Sequence, residues 1–197
     1  DESKLTNTHT IDDHHFTYYN AECFKVNVPE KLGPAQAIYY DIAAFKESIH
    51  QIKEKNIPHP IIYVLACRIG PFVGKYVKQL HKLSGQLFVN PDGHEWMRAK
   101  WSKPVRKYWK VSEAGMIKHA DLLVCDSVNI EKYIQTTYAK YLPKTTFIAY
   151  GADVSASKLT ADSEKVRNWY SKNKLRENNY FLVVGRFVPE NNFKTMI

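Results

Sequence analysis

The chain has 197 residues, of which 44% are hydrophobic and 13% aromatic, and its formal net charge is +8. This composition excludes an intrinsically disordered chain, because it supplies enough apolar side chains for a substantial core. No apolar stretch approaches the roughly 20 residues of a membrane-spanning helix. The positive charge favours a partner that carries phosphates: nucleic acid, an anionic membrane surface or a phosphorylated small molecule.

Helical periodicity and apolar runs predict the elements of the first half. Ile38, Ile42, Phe45 and Ile49 recur at spacings of four and three, as on one face of an amphipathic helix. The run "PIIYVLA" is almost continuously apolar, as expected of a parallel strand that is covered on both faces. In chain order we predict a strand at 21–28, a turn at 29–34, a helix at 35–55, a strand at 60–66, a helix at 72–83 and a strand at 85–90.

The second half continues the alternation. Pro104 suits the first turn of a helix, where its missing N–H costs nothing. Ser127 is suited to cap the helix that follows it. In chain order we predict a helix at 104–119, a strand at 121–125, a helix at 128–140, a strand at 145–150, a helix at 160–174, a strand at 180–185 and a helix that begins near Asn191.

This order of elements predicts the fold class. Strands alternate with helices throughout and lack a polar face, which is typical of a Rossmann-like α/β fold with a mostly parallel sheet and helices on both faces. The last strand and helix start are read as the beginning of a second α/β unit. We therefore expect a first domain at 1–155, a linking helix at 156–178 and the start of a truncated second domain at 179–197.

Neither the cysteines nor the histidines form a metal-binding pattern. Cys23, Cys67 and Cys125 lie far apart, each in or beside an apolar run, which favours reduced, buried thiols in a cytosolic protein over a disulfide framework or a zinc site. The acidic and histidine residues at 12–15 lack a second spaced cluster and are read as a solvated loop. We expect no metal and no cofactor.

The strongest candidate for a site is the stretch "FVNPDGHEWMRAKW" at 88–101. A strand ends here in a turn that holds Asp92, His94 and Glu95, and packing alone seldom requires so many titratable groups in one turn. Ligands of parallel α/β sheets bind at the carboxyl ends of strands, where this turn lies. The sequence therefore predicts a binding or catalytic site at the turn.

Five motifs together resemble those of a family 4 glycosyltransferase. They are "PIIYVLACRIGPF", "NPDGHEWMRAKW", "HADLLVCDSVNIEKYI", "IAYGADV" and "VVGRFVPENN", and the resemblance covers the chain from about Ala21 to Ile197. These enzymes are retaining and use a nucleotide sugar, which is bound between two Rossmann-like domains. The motifs are most similar to those of bacterial rhamnosyltransferases of capsule and cell-wall polysaccharide assembly.

The resemblance implies a separate role for each of the two domains. Residues 1–155 would be the acceptor-side domain without its first strand and glycine-rich loop, and residues 179–197 the start of the donor-binding domain. The paired glutamates that contact the donor in the family would follow beyond Ile197. We therefore expect this piece to be inactive, or nearly so, by itself.

The resemblance also assigns roles in the turn. His94 matches a family histidine near the reacting sugar and would donate a hydrogen bond to a sugar hydroxyl or a phosphate; a turn histidine bonded to a nearby carbonyl is the structural alternative. Asp92 and Glu95 are candidate acceptors for sugar hydroxyls, or a base for the acceptor hydroxyl. The alternative for this pair is turn formation by Asp92 and a solvated Glu95.

A second group of candidates lies in "VVGRF". A guanidinium at the carboxyl end of a strand, beside a helix start, suits a diphosphate because it offers forked donors where backbone N–H groups also point. The matching arginine of the family binds the donor diphosphate, which assigns that role to Arg186. Gly185 would let the ligand approach the main chain. Where many relatives have a lysine, this chain has Asn191, which supplies no positive charge.

The basic stretch "RAKWSKPVRKYWK" at 98–110 has six cationic residues interleaved with Trp101, Tyr108 and Trp109. It fits a solvated helix face, a nucleic-acid surface or a face that docks on an anionic membrane. No nucleic-acid module accompanies the stretch, so we expect no nucleic-acid partner. Lysine and arginine attract anionic lipids and aromatic rings favour the headgroup layer. We favour membrane docking, which suits an acceptor carried on a lipid diphosphate.

The complete protein is therefore expected to be an enzyme. It would transfer a sugar, rhamnose from dTDP-rhamnose in our first choice, to a lipid-linked saccharide acceptor at the inner face of the bacterial plasma membrane, where it would be a peripheral cytoplasmic protein. Two alternatives stay open. One is a different hexosyltransferase of the same fold, and the other is a non-catalytic module that binds nucleic acid or an anionic surface.

Overall fold

The computed structural model describes residues 8–152, 154–188 and 191–196. Its strands are β1 Thr8–Thr10, β2 His15–Tyr18, β3 Ala21–Phe24, β4 Ile61–Leu65, β5 Gln86–Asn90, β6 Leu122–Cys125 and β7 Thr145–Phe147. Its α-helices are α1 Gln36–Glu54, α2 Gly70–His81, α3 Lys103–His119, α4 Val128–Thr137, α5 Glu164–Lys172 and α6 Phe193–Met196. Short 3₁₀ turns are present at Glu30–Ala35, Glu95–Met97 and Ala139–Tyr141.

The chain divides into two compact units, one ending at Ala149 and the next beginning at Tyr150. The centre of the first unit is a four-stranded sheet in the order β4-β5-β6-β7. Every pairing in it is parallel, with Ile61 opposite Gln86 and Leu65 opposite Asn90 between the first two strands. Helices flank this sheet, so the predicted Rossmann-like α/β fold is confirmed.

The core lies where α1, α2, α3 and α4 pack against the sheet. Its residues come from α1, α2, α3 and α4 and from alternate positions of the strands, among them Phe45, Tyr76, Leu87, Met116 and Ile134. The stripe predicted on the first helix is confirmed, because Phe45 and Ile49 are buried and the half-buried Ile38 and Ile42 pack against the core. Ser127 caps α4 as predicted, since its Oγ accepts a hydrogen bond from the Asn129 N–H at 3.2 Å.

The expectation that β4 is covered on both faces is wrong. Ile62 is buried, but Ile61, Tyr63 and Leu65 are 55%, 47% and 61% exposed. β4 is the end strand of the sheet, so its side chains on the second face have fewer neighbours than those of β5. An uninterrupted apolar run does not distinguish an edge strand of this kind from a central one.

Helices α2 and α3 cross at close range because glycines line the contact. The Gly70 N–H donates a hydrogen bond of 2.8 Å to the Oγ of the buried Ser112. A Cβ added to Gly70 would lie 1.8 Å from the Ser112 carbonyl oxygen, and one added to Gly115 would lie 2.6 Å from the Gly70 oxygen. Only hydrogen fits on either side of this crossing.

The segment before α1 contains a small antiparallel sheet that was not predicted. Strands β1, β2 and β3 pair in that order, with a turn at 12–14 between the first two. The histidine and aspartate residues read as a solvated loop therefore form part of a hairpin, in which His15 stacks on Phe24 with ring centroids 4.5 Å apart. The predicted strand at 21–28 ends at Phe24 and belongs to this sheet, not to the parallel one.

The second unit contains α5 and α6. The predicted strand at 180–185 is not formed, and its apolar residues Phe181, Leu182, Val183 and Val184 are more than half exposed. A strand is defined by its pairing, and the described part of this unit has no other strand with which this run could pair. The domain boundaries expected at 155 and 178 stay a prediction.

Replacing Gly70 with Ala tests the helix crossing. The added methyl group would overlap the Ser112 carbonyl, so we expect the free energy of unfolding to fall by at least about 2 kcal/mol, in the range of overpacked cores. Urea denaturation followed by circular dichroism measures it. Gly151→Ala is the matched control, because a Cβ there meets nothing within 4 Å. Equal stability of the two variants would contradict the crossing.

Candidate functional site

A cavity of about 570 Å³ opens at the carboxyl ends of β4 and β5. Ala66, Cys67 and Arg68, which follow β4, form one side of it, and Pro91 and Asp92, which follow β5, form another. Further side chains come from the 3₁₀ turn before α1, from the start of α1, from the segment after β5 and from α3, namely Leu32, Ile38, Glu95, Trp96, Arg98, Trp101, Tyr108, Trp109 and Glu113. The predicted position of a site, at the ends of parallel strands, is thus a real concavity.

The turn after β5 has an uncommon backbone. Asp92, Gly93 and His94 have φ angles of 52°, 62° and 52°, so three successive residues are left-handed. Each non-glycine residue in this conformation costs on the order of 1 kcal/mol. A Cβ on Gly93 would also lie 2.2 Å from Cδ1 of Ile130, so the glycine lets the turn lie against α4. Strain of this kind persists where surrounding contacts fix the backbone, as they often do at functional sites.

Glu95 is a structural clamp of the cavity wall. Its Oε1 accepts a hydrogen bond from Trp101 Nε1 at 2.9 Å and lies 3.2 Å from Lys100 Nζ. Its Oε2 lies 2.7 Å from Arg98 Nε. Because both oxygens are engaged, this carboxylate holds Trp101 and Arg98 in place and is poorly placed to take a proton from a ligand.

Asp92 lies at the rim of the cavity with an exposed side chain. Partial loss of water around the carboxyl group raises its pKa, and the nearby Arg98 opposes this while Glu95 and Asp126 add to it. No group in the described part of the chain donates a hydrogen bond to the Asp92 carboxylate, whereas its N–H donates to Asn90 Oδ1 at 2.9 Å. Of the two predicted acids, Asp92 is the one available to a ligand.

His94 lies beside the cavity, not in its lining. Its ring packs on that of Tyr133, with centroids 4.0 Å apart, and its carbonyl oxygen accepts the Met97 N–H at 2.8 Å. Tyr133 in turn accepts a hydrogen bond from Trp96 Nε1 at 3.3 Å. In the first unit, the imidazole therefore packs the turn against α4.

Behind Tyr133 lies a buried carboxylate that the sequence analysis missed. Glu113 is 3% exposed, and its Oε1 accepts hydrogen bonds from the hydroxyl groups of Tyr133, at 2.7 Å, and of Tyr138. Burial, and next the hydrogen bond to Glu113, raises the pKa of both phenols, so both stay protonated donors. The sequence did contain a signal for it: Glu113 lies one helical turn before the apolar Met116 and Ile117, so it falls on the same inward face of α3.

Arg68 is a second residue that the sequence analysis did not single out. Its Nη1 lies 3.1 Å from Asp41 Oδ2 on α1 and donates to the Leu65 carbonyl at 3.3 Å. The Arg68 carbonyl accepts the Tyr108 hydroxyl at 2.7 Å. Burial raises the pKa of Asp41, and the guanidinium opposes this shift. Arg68 and Arg98 thus place two guanidinium groups on the cavity wall.

The basic stretch at 98–110 divides between the inside and the outside of the molecule. Trp101, Tyr108 and Trp109 line the cavity, and the polar atoms of the first two bond within the protein. Arg106 Nε donates to the Trp96 carbonyl at 2.8 Å, and Lys110 lies 4.6 Å from the centre of the Trp96 ring. The rings therefore belong to the cavity, which weakens the argument that they enter a headgroup layer. Lys103 and Lys107 are exposed.

The second group of candidates lies in the second unit. Asn191 Nδ2 donates to the Arg186 carbonyl at 2.7 Å, and the Val188 N–H donates to the same oxygen at 2.9 Å. A Cβ on Gly185 would lie 3.1 Å from the Phe193 ring. Asn191 thus shapes the turn that carries Arg186, and no acidic group of the described residues pairs with that exposed guanidinium. That Arg186 and His94 border one cleft stays a prediction.

The cysteines and acids offer no further chemistry at the site. Cys67 and Cys125 are buried as predicted, whereas Cys23 is only half-buried. Burial raises the pKa of the Cys67 thiol at the cavity floor, which disfavours a reactive thiolate. Within the described ranges, no group of three or more histidine, cysteine, aspartate or glutamate residues could hold a metal ion.

No helix in the described part of the chain has both the length and the apolar character of a membrane span.

Comparison with known proteins identifies the family. A family model described as a domain of unknown function, DUF1972, matches residues 3–153. The chain belongs to this family. DUF1972 is a domain found in glycosyltransferase-like proteins. Neither the curated proteins nor the solved structures gave a match. The matched region contains the whole cavity and the turn after β5.

Replacing Tyr138 with Phe tests the carboxylate network of the DUF1972 domain. Near neutral pH, loss of one donor to the buried Glu113 should lower the free energy of unfolding by about 1–3 kcal/mol. The fold raises the pKa of Tyr138 above the ordinary tyrosine value near 10. The stabilisation that comes from the neutral phenol is therefore fully present below the pKa of the unfolded state, and it is lost as pH rises toward and through the pKa of the folded state. The difference between wild type and variant should therefore narrow by up to about 1.4 kcal/mol per pH unit above pH 10.

Urea denaturation between pH 7 and pH 11.5 measures both effects. Tyr19→Phe, in which an exposed tyrosine loses the same hydroxyl group, is the control for general alkaline unfolding. A difference between wild type and Tyr138→Phe that stays constant across this range would show that the phenol is not held in its neutral form by the fold.

Proposed function

We propose that this chain is the acceptor-side part of a retaining glycosyltransferase. In this proposal the complete protein moves rhamnose from dTDP-rhamnose to a lipid-linked saccharide during the synthesis of a bacterial surface polysaccharide. The observation that carries it is the cavity at the carboxyl ends of β4 and β5, where tryptophan rings, two guanidinium groups and a rim carboxylate converge. Membership of a domain family found in glycosyltransferase-like proteins supports the enzyme class.

The chemistry of the cavity suits a saccharide. A sugar ring has an apolar face of C–H groups, which packs on flat indole rings such as those of Trp101 and Trp109, and an edge of hydroxyl groups that need polar partners. Sites for small molecules are mostly apolar with a few placed polar groups, and their volumes run from about 300 to 1,000 Å³. The cavity of about 570 Å³ falls in this range. Arg68 and Arg98 add positive charge for a phosphorylated acceptor.

In the proposed reaction, the bond between the anomeric carbon and the donor phosphate breaks, and its electron pair leaves with the nucleotide diphosphate. An acceptor hydroxyl oxygen forms the new bond on the same face of the sugar, and its proton passes to Asp92. The raised pKa of Asp92 makes this carboxylate a better proton acceptor. Arg186 would offset the charge on the departing diphosphate, and His94 would orient the sugar from the edge of the turn.

The proposed membrane contact rests on lysines alone. Lys103 and Lys107 are exposed and lie one helical turn apart on α3, so they present positive charge on one face. Each lysine near an anionic surface contributes about 1 kcal/mol. In this proposal the protein is peripheral and lies at the inner face of the plasma membrane, where a lipid-linked acceptor is accessible.

Asp92→Asn tests the reaction in the complete protein. Loss of the proton acceptor should lower turnover by about 100-fold or more, measured as release of dTDP from dTDP-rhamnose in the presence of a lipid-linked acceptor. Asp13→Asn is the matched control, because Asp13 is an exposed aspartate of the hairpin turn. Arg186→Ala should lower turnover by orders of magnitude; full activity of that variant would remove Arg186 from the site.

The same assay tests the choice of rhamnose separately from the assignment as a glycosyltransferase. Preferred consumption of another nucleotide sugar would refute rhamnose and leave sugar transfer intact. If no nucleotide sugar is consumed by the complete protein with any lipid-linked acceptor tested, the glycosyltransferase proposal is wrong.

Charge reversal tests the membrane contact on this chain itself. Binding to vesicles of phosphatidylglycerol and phosphatidylcholine should weaken at least about tenfold in Lys103→Glu/Lys107→Glu and should fall further as salt rises. Lys78→Glu/Lys82→Glu is the control, since it alters net charge equally at two exposed lysines at the C-terminal end of α2. Equal loss in the two variants would show that only net charge matters. Tighter binding to RNA than to vesicles would favour the nucleic-acid alternative.

A further inference from the structure

We infer that Glu113 presents one carboxylate oxygen to the cavity as the acceptor for a ligand hydroxyl group. This inference rests on the proposed function for the identity of that ligand as a saccharide. It adds to the site a substrate-contacting residue on α3, at the floor of the cavity, where the sequence analysis placed none.

The two carboxylate oxygens of Glu113 differ in their surroundings. Oε1 accepts both phenol hydrogen bonds, from Tyr133 and Tyr138. Among the described residues no group donates to Oε2, and no lysine or arginine forms an ion pair with the carboxylate. A buried carboxylate normally has its lone pairs satisfied, because an unpaired buried charge is costly.

The unpaired oxygen still reaches open space. In the described part of the chain, His15 Nε2 is the only side-chain polar atom that is both sealed from solvent and without a partner. Glu113 Oε2 is therefore not sealed, although the residue as a whole is 3% exposed. The open space beside Glu113 is the cavity, which this residue lines.

The charges around the cavity define what Glu113 can accept. A negative oxygen repels phosphates and carboxylates and favours the donor hydroxyl of a neutral polyol. The cations of the cavity wall, Arg68, Arg98 and Lys100, are engaged by Asp41 and Glu95 and do not pair with Glu113. Glu113 thus suits the neutral, hydroxyl-rich part of a saccharide, and any phosphate would lie on the side of the arginines.

Glu113→Gln changes this oxygen in a defined way. The two phenols donate to one side of the side chain, so an amide there should turn its oxygen to them and its NH₂ group to the cavity. The substitution keeps both phenol hydrogen bonds, in contrast to Tyr138→Phe, and converts the cavity-facing acceptor into a donor. We expect Glu113→Gln to lower the urea midpoint less than Tyr138→Phe does.

Binding of neutral saccharides to the 197-residue chain tests the inference. Methyl glycosides of rhamnose, glucose, galactose and N-acetylglucosamine serve as probes in calorimetric titrations. Glu113→Gln should weaken binding of the preferred glycoside by about 10- to 100-fold, which corresponds to a charge-assisted hydrogen bond. Glu164→Gln, on α5, is the matched control for loss of one carboxylate. Equal affinities of wild type and Glu113→Gln would overturn the inference.

A measurement that does not require a saccharide separates this inference from the proposed function. Glycerol, a small polyol probe, should perturb the ¹³Cδ resonance of Glu113 in protein labelled at the glutamate carboxylates, with Glu113→Gln used for assignment. No perturbation by glycerol or by any glycoside would refute the inference and leave glycosyl transfer to the assay of dTDP release. Perturbation by glycerol without binding of any glycoside would keep the polyol site and refute a saccharide as its ligand.

Discussion

One turn of α3 holds the first unit together, because it carries two consecutive buried polar side chains. Ser112 accepts the first N–H of α2 and brings the two helices into contact at glycines, while Glu113 accepts two phenols of the segment that begins with α4. Each side chain would be costly to bury alone. Because each is hydrogen-bonded to a different neighbour, α2 and α4 have fixed positions relative to α3, and the cavity between the strand ends and α3 has a defined shape.

The turn after β5 depends on that same arrangement. Three successive left-handed residues would not persist in an isolated loop, because each residue with a side chain costs free energy in this conformation. Here Gly93 lies against Ile130 of α4, and Trp96 donates to Tyr133, which is itself held by Glu113. The backbone strain is thus offset by contacts with α4, which Glu113 on α3 holds in place. As a result, Asp92 stands at the rim with a carboxylate to which none of the described residues donates a hydrogen bond.

The sequence predicts the parts of this fold that depend on local signals. The parallel strands, α1, α3 and the Ser127 cap follow from periodicity, apolar runs and capping chemistry. In the small sheet before α1, β3 lies within the predicted strand at 21–28, whereas β1 and β2 were missed because they are only three and four residues long, so that pairing, not pattern, defines them. The run at 180–185 has the composition of a strand but no strand beside it. Glu113 and Arg68 were missed for a related reason: their roles depend on partners 20 or more residues away in the chain.

The basic stretch at 98–110 contributes to two different surfaces, which the linear sequence pattern did not separate. On a helix of 3.6 residues per turn, Val105, Tyr108 and Trp109 fall on the side opposite Lys103 and Lys107. The rings therefore line the cavity and the lysines face outward, although all lie within one short window of sequence. If the proposed function is correct, the width of one helix, roughly 10 Å, separates the membrane contact from the acceptor site. An acceptor anchored in the bilayer would then reach the cavity around α3 without leaving the membrane.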